Sequence, residues 1–161
     1  MYEIGDKVVY PMHGAGVIES IEDKDILGET HKYYTLKLSL NNMKLMIPML
    51  NCDKTGLRPI ISKDRATDVL EELKNYLPNP ENNWSKRYKT NALKIKTGNI
   101  SDVMTVVKGL MFLDKIKGLS TSERKMLNNA KQIFESEIHL ALEMSIEEIE
   151  DIITNSVMQL N

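Results

Sequence analysis

Three features of this 161-residue chain point to an α+β protein in two parts: a small SH3- or Tudor-like antiparallel β-barrel, then a compact all-α unit of four or five helices. Residues 1–61 carry short β-branched and aromatic runs separated by Gly, Pro and Asn. After Ser62 apolar residues recur at three- and four-residue spacings. The composition, 42% hydrophobic and 27% charged, is that of a folded chain with cores to fill. The expected division is 1–61 for the β-part and 62–161 for the helical part.

In the β-part, Lys7-Val8-Val9-Tyr10 reads as a strand closed by Pro11, with Gly14 and Gly16 supplying a turn. Ala15 to Ile21 reads as a second strand, and Glu22 to Glu29 as a charged connection. His31 to Leu40 alternates in part, with Tyr34, Leu36, Leu38 and Leu40 on one face. Asn41-Asn42 marks a tight turn before Met43 to Ile47, which stops at Pro48, and Gly56 to Ile61 adds a last short strand.

In the helical part, Ala66, Val69, Leu70, Leu73 and Leu77 form one apolar stripe over Lys63 to Leu77. Pro78 and Pro80 then break the chain. A second helix begins at Asn82 or Asn83, both good N-caps, and runs to about Thr97, with Gly98 as its stop. Asn99 caps a third helix that ends at Gly118. Ser120 with Glu123 forms a capping box for a long fourth helix, and Ser145 with Glu148 repeats it for a fifth, Ile146 to Met158.

Composition also excludes several function classes. No apolar run approaches the roughly 18 residues that span a bilayer, and the first residues lack the pattern of a signal peptide. One cysteine, Cys52, excludes an intrachain disulfide, suits a reducing cytoplasmic setting and, with three scattered histidines, leaves no structural metal site. Gly14-Ala15-Gly16 lacks the further glycine and helix of a dinucleotide site, and Cys52 reads as a small buried residue rather than a nucleophile. No enzyme activity and no cofactor are expected, and nothing predicts an oligomer.

Charge is strongly segregated. Residues 76–134 hold 11 Lys/Arg against four acids, whereas 135–161 hold seven acids and no Lys or Arg. A basic block of this kind suits a polyanion partner, with the acidic end shielding it or restricting its orientation. A helical unit whose charges lie on solvated faces accounts for it equally well.

The segment Asn83-Trp84-Ser85-Lys86-Arg87-Tyr88-Lys89 concentrates the interest. Turning 100° per residue places Tyr88, Ala92 and Ile95 on one side with Trp84 above them, and Lys86, Arg87, Lys89, Lys94 and Lys96 over the other. An aromatic wedge flanked by cations is how minor-groove proteins hold and unstack a base step. The plainer alternative is that Trp84 packs on Tyr88 one turn later.

This segment, together with Gly5-Asp6-Lys7-Val8-Val9-Tyr10-Pro11, His13-Gly14, Gly118-Leu119-Ser120 and Glu123-Arg124-Lys125-Met126-Leu127, resembles the CarD/CdnL family of bacterial transcription regulators. The resemblance implies a Tudor-like domain that binds the RNA polymerase β subunit, and a helical domain that contacts promoter DNA at the upstream edge of the bubble, stabilising the open complex. It implies that Trp84 enters the minor groove, that Lys86, Arg87 and Lys89 hold phosphates, and that Lys125 is a further DNA contact. It also implies a polymerase-facing surface including Tyr10, Pro11, Lys24 and the position of Met46. Met46 stands where some relatives carry arginine, and that loss removes a charge-assisted contact worth about 1.5–3 kcal/mol if desolvated. An adaptor of polymerase without DNA contact is the alternative reading.

Overall fold

The computed structural model describes residues 1–50 and 52–160. Its first part is a five-stranded antiparallel sheet in the order β4-β3-β2-β1-β5: β1 Lys7–Tyr10, β2 Gly14–Ile26, β3 Glu29–Leu38, β4 Lys44–Pro48 and β5 Arg58–Pro59. Five helices follow: α1 Lys63–Asn75, α2 Trp84–Lys96, α3 Ile100–Lys117, α4 Thr121–Leu142 and α5 Ile146–Met158. The α+β architecture read from the sequence is therefore present.

The sheet closes over Val8, Ile18, Tyr34, Leu36, Leu38, Ile47 and Leu57, all buried. Gly16 is required where β2 meets β3, because a Cβ there would lie 2.2 Å from the Lys37 carbonyl oxygen. The register shifts between Ile18 and Ser20, and beyond this bulge β2 leaves the core.

Here the structure departs from the expected connection at Glu22 to Glu29. The ladder continues from Glu22↔Tyr33 to Ile26↔Glu29, and Leu27 and Gly28 alone make the turn. Both have positive φ, 52° and 81°, as a type I′ hairpin demands. Alternation failed to reveal this arm because both of its faces are solvated, so no residue there is selected for burial. Lys24 accordingly lies within a strand, opposite His31, rather than in a loop.

The helices begin where local chemistry starts them. Asn83, Asn99, Ser120 and Ser145 are N-caps, each accepting a backbone N–H from the first turn. The first helix ends two residues short of Leu77, which is exposed rather than part of the apolar stripe. Pro78 disfavours helical backbone at the residue before it, and Tyr76 is already extended at ψ 129°. The remaining apolar faces meet in one core around Leu73, Val107, Leu110, Phe134, Ile138, Ile149 and Ile153. Lys108 is wholly buried in it and donates to the Leu73 and Lys74 carbonyls, closing the C-terminal end of α1.

The two parts are packed together through α4. Its buried Ser136 hydroxyl accepts from the Ala15 N–H of β2 at 2.9 Å, and Glu137 on the same helix is paired with Arg58 of β5. The acidic end is thus not simply a solvated face, since Glu135 and Glu137 are both buried. No helix among the described residues is long and apolar enough to cross a membrane.

Candidate nucleic-acid interface

Asn83 opens α2 by accepting the Lys86 N–H at 3.0 Å, which places Trp84 at the first helical position and at the protein surface. Trp84 is 45% exposed, so part of its surface remains open to solvent. Its orientation is nonetheless set. The ring stacks on Tyr88 with centroids 5.3 Å apart and planes 21° from parallel, and Nε1–H donates to the Ser120 hydroxyl at 3.2 Å. Ser120 is itself the cap of α4, accepting the Glu123 N–H. Two adjacent helix starts therefore fix one exposed aromatic ring.

Lys86 and Lys89 follow on the other side of α2 and are exposed, Lys86 lying 3.8 Å from the Glu81 carboxylate. Lys125 is exposed on α4 beside an apolar groove of about 330 Å³ lined by Tyr88, Ala92, Ile95, Met126 and Met12. Of the expected DNA-facing residues, Trp84, Lys86 and Lys89 thus lie in the first half of α2 and Lys125 near the start of α4.

Arg87 does not join them, which corrects its reading as a phosphate contact. It is 8% exposed and makes a bidentate pair with Glu123, Nε to Oε2 at 2.7 Å and Nη2 to Oε1 at 2.9 Å. Its remaining nitrogen donates to the Glu81 carbonyl at 2.7 Å. The helical wheel placed Arg87 among the outward cations because it could not register that α4 starts alongside. The hydrogen bond from Arg87 holds the Glu123 carboxyl below the usual carboxylate range, against the opposing effect of burial, and raises the guanidinium in turn. Arg87 and Glu123 thus tie the start of α2 to the start of α4. The sequence showed Glu123 as the acid of a capping box and the start of a family motif, not as a partner of Arg87.

The four residues expected on the polymerase-facing surface do not form one patch. Tyr10 is half-buried and stacks on His13 with centroids 4.8 Å apart. Pro11 lies at the junction of the two parts: a Cβ on Gly56 or Gly98 would stand 3.0 or 3.1 Å from its Cγ. Lys24 is ten residues along β2 from Gly14, the partner of Tyr10, which is roughly 30 Å at strand rise. Met46 is exposed on β4, an outer strand of the sheet, opposite Thr35. Lys24 and Met46 therefore belong to the arm and β4 side, while Tyr10 packs on the sheet's own core and Pro11 meets the helical part at Gly98.

Cys52 is half-buried rather than fully buried, and burial pushes its thiol up, away from the thiolate form a nucleophile needs. It shares a shallow concavity with His31, but no hydrogen bond joins them among the described residues. Nor do three or more His, Cys, Asp or Glu side chains converge on a metal-sized site among those residues.

Comparison with known proteins agrees with this architecture. Residues 2–61 match the family described as CarD-like/TRCF RID domain, and residues 68–154 match that described as CarD, C-terminal domain. A Bacillus subtilis (strain 168) protein named "Putative transcription factor YdeB" is 41% identical over 146 residues, covering 87% of this chain and 92% of that protein. With both parts matched in order along almost the whole chain, and with a relative of this identity, the protein belongs to the CarD-like family of transcription factors.

Proposed function

We propose that this protein binds the RNA polymerase β subunit through its sheet and contacts promoter DNA at the upstream edge of the bubble through the start of α2, prolonging the open complex. The observation that carries the reading is the half-exposed Trp84 indole, held by Tyr88 and Ser120 on a helix whose other side exposes Lys86 and Lys89. A ring already oriented loses little freedom on stacking against a base, and the exposed Lys86 and Lys89 ammonium groups on the same helix meet backbone phosphates. A wedge that engages only distorted or melted DNA binds the open state better than the closed one and shifts the equilibrium toward it. Tethering to polymerase supplies the local concentration, so few DNA contacts suffice. Phosphate and shape contacts of this kind select the fork rather than a base sequence. No catalytic step is assigned, and the protein acts as a monomer in this scheme.

The test is the lifetime of open complexes formed by the cognate polymerase with no added protein, with wild type and with Trp84→Ala. The variant is first shown to be folded and to bind polymerase. Stacking on an aromatic side chain is worth about 1–3 kcal/mol per base, so Trp84→Ala should shorten the prolonged lifetime by roughly tenfold. A lifetime equal to wild type rejects the wedge. The Tyr88 stack and the Ser120 hydrogen bond also suit a purely structural tryptophan, and that result would favour an adaptor without DNA contact.

A further inference from the structure

A bidentate ion pair between Arg58 and Glu137 joins the two parts. Arg58 Nη1 donates to Glu137 Oε2 and Nη2 to Oε1, both at 2.7 Å. The Glu137 side chain is 1% exposed, and its Oε2 also accepts the Ile61 N–H at 2.9 Å. Arg58 reaches a third element as well. Its Nε and Nη2 donate to the Gly98 carbonyl at 3.1 and 2.8 Å, just beyond the end of α2, and Nη1 donates to the Pro59 carbonyl at 3.0 Å. One guanidinium therefore ties β5, α4 and the C-terminal end of α2 together. Pro11 packs against Gly56 and Gly98, and Ser136, the residue before Glu137 on α4, holds Ala15.

The opposite end of α2 is held by Arg87 on Glu123. Glu123 and Glu137 are fourteen residues apart on α4, about 21 Å at helical rise. The thirteen residues of α2 span about 20 Å. The helix that carries Trp84 is thus fastened to α4 at its start, and to both α4 and the sheet at its finish.

We infer that Arg58 and Glu137 are positioning residues: they fix the helix bearing Trp84 at one distance and angle from the sheet, so that docking the sheet on polymerase delivers the indole to a single place. This rests on the function proposed above and adds to it the part that sets the geometry. A flexible joint would spread Trp84 over a large volume and dilute its effective concentration at the fork. A rigid joint removes that dilution, at the cost of tolerating only one separation between the polymerase and DNA sites.

The experiment uses the full chain with Arg58→Met, Arg58→Lys and the double variant Arg58→Met/Glu137→Met. The double variant leaves no unpaired buried charge, so it retains a folded helical core. Backbone 15N relaxation of the free protein should give one rotational correlation time for wild type and two for the double variant. Polymerase affinity should stay within about twofold, while the gain in open-complex lifetime falls at least fivefold. Arg58→Lys, which keeps the charge but not the fork of donors, should fall between. Wild-type halves that tumble independently overturn the inference, as does a double variant that remains one rigid body. A double variant whose halves come loose while the lifetime gain persists also overturns it. Trp84→Ala is run in parallel. If it leaves the lifetime unchanged, the DNA reading fails, and the clamp is then decided by relaxation alone.

Discussion

Arg87 shows how a single residue can carry a charge pattern and yet take no part in it. Its pair with Glu123 is nearly sealed from water, so removing one partner strands the other. Arg87→Ala should cost about 3–5 kcal/mol in urea unfolding, whereas Lys89→Ala, which is exposed, should stay within about 0.5 kcal/mol. DNA-dependent effects of Lys89→Ala can then be read without a stability correction. Glu135 makes the second residue-scale prediction. It is 3% exposed with an unpartnered Oε1, and burial, reinforced by Glu150, raises its carboxyl to about 8. A folded-state value above the unfolded one favours the protonated form, so this contribution is complete below about 4.5 and is lost as pH rises through 8. Within that window each pH unit removes up to about 1.4 kcal/mol. Glu135→Gln should flatten this slope in chemical denaturation measured between pH 5 and 8.5, and should be the more stable protein at the alkaline end.

Two glycines separate the needs of elements. Gly16 lies where β2 passes Lys37 so closely that no Cβ fits against the carbonyl. Gly16→Ala must push the strands apart, and should cost more than about 2 kcal/mol with loss of hydrogen-exchange protection along the β2–β3 ladder. Gly109, inside α3, would place a Cβ in open space. Gly109→Ala should therefore gain about 0.5–1 kcal/mol from helix propensity alone, visible as a higher melting temperature. The same substitution thus reverses sign between a strand under close approach and a helix with room. Local pattern shows that both sites are glycine, and only the neighbouring backbone shows which one has to be.

For the whole molecule, the decisive feature is that an ion pair between a buried carboxylate and a half-buried guanidinium joins two units with separate apolar cores. Their unfolding should be coupled. Wild type is expected to show one calorimetric transition, and Glu137→Ala, which leaves Arg58 without its carboxylate, should cost about 3–5 kcal/mol and separate the sheet from the helices. Surface charge also has to be recounted at this scale. Arg87 and Lys108 are buried, Lys131 pairs with Glu150 at 2.9 Å and Arg124 with Asp114 at 2.7 Å. Glu135 and Glu137 are withdrawn from the acidic end in the same way. The contrast between basic and acidic blocks is thus weaker on the surface than along the chain, while Lys89 and Lys125 remain exposed and Lys86 is exposed beside Glu81.

The sequence by itself determined the architecture, the starts of the helices, the family and the segment around Trp84. These rest on interactions within about four residues: an Asn or Ser cap finds its amide one turn away, and an apolar stripe repeats every turn. The solvated hairpin arm escaped that reading because a strand without a buried face has no alternation to show. Tertiary structure alone decided the exposure of Trp84, the withdrawal of Arg87 from the surface and the joining of the two parts. Arg87 meets Glu123 across 36 residues and Arg58 meets Glu137 across 79. A buried charge is tolerated only where its partner and its hydrogen bonds converge in space, and no local periodicity records that convergence.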